Sequence, residues 1–199
     1  MRQIIIPACL LGTVLASSVI RAQDTASVPL FKITPVESTI KFNVKASVAI
    51  QGTFDKWDAV LTFPSPDVTT AVLKITIQAA SVNTGSGMKN NKLKGKDFFN
   101  AQQNPEITFI SKQVVQTGPD TFQVPGDFTI RGVSKPETLT LTVTGKGTGS
   151  GVIQGIMAFD RKDYGMDKGI PFIRIADRVE VTVNLKAEQI SGPRLVYKQ

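Results

Sequence analysis

The side chains with the most chemical capacity gather in FDRKDYGMDKG, residues 159–169. Asp160, Asp163 and Asp167 stand there with Tyr164, Arg161, Lys162 and Lys168. Carboxylates this close could ligate calcium or act as acid and base toward a bound substrate. The spacing lacks the central glycine and terminal glutamate of a helical calcium loop, however, and three basic residues are interleaved. The local reading is an exposed charged turn, with Asp160 beside Arg161 and Asp163 beside Lys162. A second polar turn is Arg131-Gly132-Val133-Ser134-Lys135-Pro136. Its two cations, Arg131 and Lys135, could meet an anionic head group. Equally, Arg131 could pair with a carboxylate such as Asp163 or Glu137 and lock the turn. Ser134-Lys135 and Ser111-Lys112 put a nucleophile next to a base, but neighbours on a strand point to opposite faces.

The chain has no histidine, and its one cysteine is Cys9. The commonest general base, the usual zinc ligands and thiol chemistry are therefore missing from everything beyond the first residues. The expectation is a protein with no catalytic residue, no metal site and no cofactor. Residues 1–22 read as a secretory signal: Arg2, then a largely apolar run from Ile4 to Ile20, then Ala22 as a small residue for cleavage. A transmembrane anchor fits less well, because the run is short and Pro7 and Gly12 interrupt it. The remainder, 23–199, is expected to form one domain in a periplasmic or secreted protein. The formal charge of +7 falls by two when Arg2 and Arg21 leave. Only Lys89, Lys92, Lys94 and Lys96 form a basic cluster. The modest positive charge could favour an anionic head group or transient contact with an anionic membrane surface, but the chain lacks the aromatic and basic interleaving of a nucleic-acid site.

The elements that must position any site alternate with period two. Ile40, Phe42 and Val44 alternate with polar residues. So do Leu73, Ile75, Ile77 and Ala79, then Ile107 and Phe109, Phe122 and Val124, and Phe128 and Ile130. Leu139, Leu141 and Val143 follow, and the run from Val179 to Leu185 ends the series. Such alternation predicts antiparallel strands with one buried face. Gly145, Gly147, Gly149 and Gly151 fall between strands, with no phosphate-binding lysine in register, and read as a flexible hairpin connection. GMKNNKLKGKDFFN, residues 87–100, breaks the pattern and predicts short helical turns. Its adjacent Phe98 and Phe99 must bury against something, and a helical segment capping a barrel mouth would allow it. Eight or more strands around one core leave a sandwich or a closed barrel, the latter able to hold one small ligand.

Five segments then carry a resemblance: STIKF with GTF, ITIQAASVNTG, LKGKDFFNAQQNPEITF, GDFTIRGVSKPETLTLTV and FDRKDYG, in this order. Together they resemble the YceI-like family of periplasmic, lipocalin-like proteins that bind polyisoprenoids. The resemblance implies an antiparallel lipocalin-like β-barrel with an elongated apolar pocket for an isoprenoid or other long-chain lipid, held without catalysis. Alternation then nominates the lining. Phe42, Leu73, Ile75, Ile77, Phe109 and Phe128 come from the first strands. Ile130, Leu141, Phe159 and Val181 come from the later ones, with Phe98 and Phe99 near the helical cap. Two other readings stay open: a solid barrel acting as an interaction or stress-response protein, and an enzyme using Asp160, Asp163 or Tyr164 on a bound lipid. A homodimer is compatible with all three.

Overall fold

The computed structural model describes residues 28–47, 50–170 and 172–198. The proposed signal segment lies outside the described residues. The period-two runs become strands whose apolar members face one interior. β1 (Leu30–Ile33), β2 (Thr39–Ala46), β3 (Ile50–Phe54), β4 (Trp57–Thr62), β5 (Val72–Gln78) and β6 (Val82–Asn83) precede the one α-helix of the described residues, α1 (Gly87–Lys94). β7 (Glu106–Ser111), β8 (Val115–Gln116), β9 (Thr121–Ile130), β10 (Val133–Thr144), β11 (Ser150–Asp160) and β12 (Ile175–Ser191) follow it. Ala79 leaves β5 and enters a short 3-10 turn, Ala79–Ser81.

Eight strands close a ring: β1, β4, β5, β7, β9, β10, β11, β12 and back to β1, every pairing antiparallel. Closure removes the exposed edges of an open sheet. β12 makes this possible by serving two partners in succession. Residues from Ala187 to Ser191 pair with β1, while those from Ile175 to Asn184 pair with β2. β2 extends the wall through β3 to β6 at that end. Between β1 and β2 the chain makes a 3-10 turn, and buried Ser38 bridges the break, donating to Thr34 O and accepting from Lys186 N–H.

The Arg131 turn is tighter than its six-residue span implied. Ile130 pairs with Val133, so only Arg131 and Gly132 form the connection. Both have positive φ, 56° and 74°, as a two-residue hairpin of the type I′ class requires. Pro136 therefore does not end the turn; it lies inside β10, opposite Asp127. Residues 133–139 of β10 are bonded to β9 only, because pairing with β11 begins at Thr140. A strand bonded on one side can hold a residue without an N–H.

Past Thr140, β10 and β11 diverge, and a 3-10 turn, Arg161–Tyr164, fills the opening. Tyr164 is wholly buried there. Its ring meets Phe159 and Phe128 edge-on at 5.2 and 5.5 Å, and its hydroxyl donates to Glu137 Oε1 at 3.1 Å.

Candidate ligand-binding site

Among the described residues, the inward faces of the ring, with β2, β3 and the α1 segment, enclose chambers of which three stack along the barrel. Following single strands shows the order. On β5, Leu73 lines the first chamber, Ile75 the middle one, and Ile77 both the middle and the far one. On β11, the sequence is Ile153, Met157 and Phe159. On β10, Leu141 lines the first and Leu139 the middle. The first and far chambers contain about 910 and 700 Å³ of atom-free space, open mouths included. The middle one is a waist of about 330 Å³, and Ile77, Phe128 and Val181 line both it and the far chamber. Gly126 helps to shape this waist: a Cβ there would come within 2.7 Å of the Phe109 ring and 2.5 Å of Ile110 O.

All twelve apolar residues nominated from the sequence line one of the three chambers. Phe42, Ile77, Phe98, Phe99, Phe128, Ile130, Phe159 and Val181 line the far one. Ile75 and Phe109 line the waist, and Leu73 and Leu141 the first. Phe98 and Phe99 follow α1, whose only buried residue is Leu93. Phe99 continues an aromatic chain with Phe54 at 5.8 Å, and Phe54 stands 5.6 Å from Phe42. The Lys92 ammonium, paired with Asp97 at 2.8 Å, lies 5.8 Å from the Phe98 ring. That ion pair holds the Asp97 carboxyl below its ordinary range.

The two polar turns end up tied to each other. Arg131 donates to Gly165 O, and Lys135 reaches Asp163 at 3.6 Å. Neither cation lines a chamber. The aspartate segment is the exposed charged turn its composition predicted at Asp160, Lys162, Asp163, Asp167 and Lys168, but Arg161 is buried. Its guanidinium donates to Ala176 O, Met166 O, Lys168 O and Asp177 Oδ1, gathering the chain between β11 and β12 around one fork. Asp177 also binds Lys162 at 2.7 Å, chiefly through a hydrogen bond that keeps its carboxyl below the usual range. Asp160 accepts from Lys162 N–H. Burial raises the Glu137 carboxyl, against the opposing Tyr164 hydrogen bond, and burial raises the Tyr164 hydroxyl as well. No group of three or more acidic, cysteine or histidine residues close enough to hold a metal occurs among the described residues.

Sequence reasoning missed most of the first chamber. Phe31, Phe63, Val68, Phe122, Val124, Leu195 and Tyr197 line it, with the loop at Gly145–Gly149 and Arg194 at its mouth. Phe122 and Val124 were legible as an inward face; Arg194, Leu195 and Tyr197 belong to no alternating run and gave no signal.

Apolar chambers stacked within an antiparallel barrel are the geometry against which known proteins can be compared. The YceI-like domain profile matches residues 31–187. The chain belongs to the YceI-like domain family. Protein YceI of Escherichia coli O157:H7 is 34% identical over 98 residues, 49% of this chain and 51% of the relative. The chain thus spans about half the length of the curated relatives it matches. BcnA of Burkholderia cenocepacia superposes with a TM-score of 0.71 at 26% identity, covering 78% of this chain and 99% of BcnA. A polyisoprenoid-binding domain from Saccharophagus degradans, implicated in plant cell wall breakdown, shares the fold with a TM-score of 0.65 at 18% identity. The match covers 80% of this chain and 98% of that domain.

Proposed function

We propose that this YceI-like protein holds a long-chain, isoprenoid-type lipid along its barrel axis, without catalysis, and works in the periplasm or as a secreted protein. The observation that carries this reading is the apolar lining of the chambers stacked within the barrel. A hydrocarbon tail offers only apolar area, worth about 25 cal/mol for each Å² removed from water. Such a tail needs no acid, base or metal, in keeping with a chain that has no histidine. The named ligand class of the Saccharophagus neighbour points the same way.

The far mouth would rest on a membrane surface. Met88 on α1 and Phe172 are exposed almost completely, beside segments that line the far chamber with Leu93 and Ile170. Lys92 pairs with Asp97 at 2.8 Å, and Lys96 and Lys168 also act favourably on that carboxylate. Apolar side chains within a cationic rim suit an anionic bilayer surface.

The test is native mass spectrometry of protein purified from the periplasm without detergent, followed by organic extraction. An adduct of isoprenoid mass, released on denaturation, is expected. A clean apo mass that persists after incubation with polyprenyl lipids would sink the reading and favour a barrel that acts only as an interaction module.

A further inference from the structure

The two ends of the barrel differ in the charged side chains that line the chambers themselves. At the far end the only charged lining residue is Arg161. Its guanidinium donates to three backbone carbonyls and Asp177, so each of its nitrogens already has a partner. Arg131 and Lys135, which follow the far-chamber residue Ile130, are engaged with Gly165 and Asp163.

The first chamber opens differently. Thr144, Ser150 and Gln189 stand at its rim among the apolar residues, together with Lys146, Arg194 and Tyr197. Lys146 is neutralised: its ammonium lies 2.5 Å from Asp120 and 4.7 Å above the Tyr197 ring. Arg194 is exposed and has no hydrogen bond or ion pair among the described residues. Tyr197 is half-buried, and its hydroxyl likewise has no hydrogen-bond partner among them. Burial, and then Asp120, raise the pKa of that hydroxyl, so it remains a donor at neutral pH. The loop that forms the rest of the rim is open. A Cβ added at Gly147 or Gly149 would meet nothing within 4 Å. Arg194, with no side-chain partner among the described residues, a phenolic donor and free volume thus share the rim of the first chamber.

We propose that this mouth binds the anionic head group of an amphiphile, a phosphate or carboxylate, held by Arg194 and Tyr197 with the tail directed through the waist toward Phe98 and Phe99. The assignment rests on the lipid-binding reading above and adds the ligand's polarity and direction. It moves the head group to the opposite end of the barrel from Arg131 and Lys135.

Two probes with one tail separate the possibilities: farnesyl phosphate and farnesol, titrated calorimetrically into protein stripped of bound lipid. The unsubstituted protein should bind the phosphate about tenfold more tightly, the range of one charge-assisted contact at a wet mouth. Arg194→Gln should abolish that preference, chiefly by weakening farnesyl phosphate, while Lys135→Gln should keep it. A preference that survives Arg194→Gln, or disappears in Lys135→Gln, overturns the assignment. Equal binding of both probes by the unsubstituted protein refutes the head-group site but leaves the lipid tunnel standing. Failure to bind either probe refutes both. Inorganic phosphate alone should give no comparable heat; binding as tight as that of farnesyl phosphate would make the mouth a site for free anions and overturn the proposal. Arg194 is exposed, so its substitution leaves the core intact.

Discussion

Tyr164 closes a gap in the barrel wall, and Tyr164→Phe tests how. The substitution keeps the ring against Phe128 and Phe159 and removes only the hydroxyl that donates to Glu137. A hydrogen bond to a charged group contributes about 1.5–3 kcal/mol. Glu137 is only partly shielded, so water recovers part of this, and a loss of about 1 kcal/mol is expected at pH 7. That corresponds to a fall in Tm of about 2–4 °C for a domain of this size. The bond favours the ionised carboxylate, which gives the loss a pH dependence. Burial has moved the Glu137 carboxyl above its ordinary 4.5. Below that window the acid is protonated in both variants and the hydroxyl matters less; above it the full difference appears. Urea unfolding at pH 4 and pH 7, followed by circular dichroism, measures both. Equal losses at the two pH values, or no loss at pH 7, would refute the argument. Tyr164→Ala is the reference for the ring: it should lose about 3–5 kcal/mol, because it also empties the gap.

Glu137→Gln should act in the other direction. A carboxyl raised on folding contributes stability that is present at low pH and is lost as pH rises through its folded value, so the amide variant should gain on the unsubstituted protein between pH 4 and 7 in the same unfolding assay. Gly132→Ala should destabilise by about 1–2 kcal/mol, since φ is +74° and the new Cβ would lie 2.9 Å from Asn104 Oδ1; a neutral change in Tm would show that the turn relaxes freely. Phe98→Leu with Phe99→Leu preserves most of the buried volume and should reduce retained lipid, read by mass spectrometry of the folded variant; unchanged occupancy would remove these rings from the site. Phe172→Ser with Met88→Gln should weaken co-sedimentation with anionic vesicles severalfold without changing Tm, and unaltered sedimentation would discard the docking face.

The inward face of each strand was legible in the sequence because period-two alternation fixes it: Leu73, Ile75 and Ile77 on β5, and Phe128 and Ile130 on β9, all point where the pattern put them. The resemblance settled barrel against sandwich, which alternation leaves open. Arg161 was not legible as buried, because its partners are backbone carbonyls of residues 166, 168 and 176, which no side-chain pattern encodes. Pro136 looked like the end of a turn, because a single strand does not reveal that its neighbour β11 has already departed. The mouth at Arg194 and Tyr197 was invisible for a related reason: these residues reach it through an irregular C-terminal segment, anchored where Val196 N–H meets Pro66 O and Val68 N–H meets Val196 O.

The double pairing of β12 also sets the order of events in folding. The strand that closes the ring comes last, and it must find β1 and β2 from the other end of the chain. Loop-closure entropy is paid before those contacts form, so folding should be slow, in the millisecond-to-second range of barrels dominated by non-local pairing. Until β12 docks, β1, β2 and β11 all carry an unpaired edge, and the half-built tunnel presents its apolar lining to solvent. The period just before closure is therefore when the chain is most exposed to aggregation, and a lipid tail that reached the open cleft then would become the core around which the last strand closes.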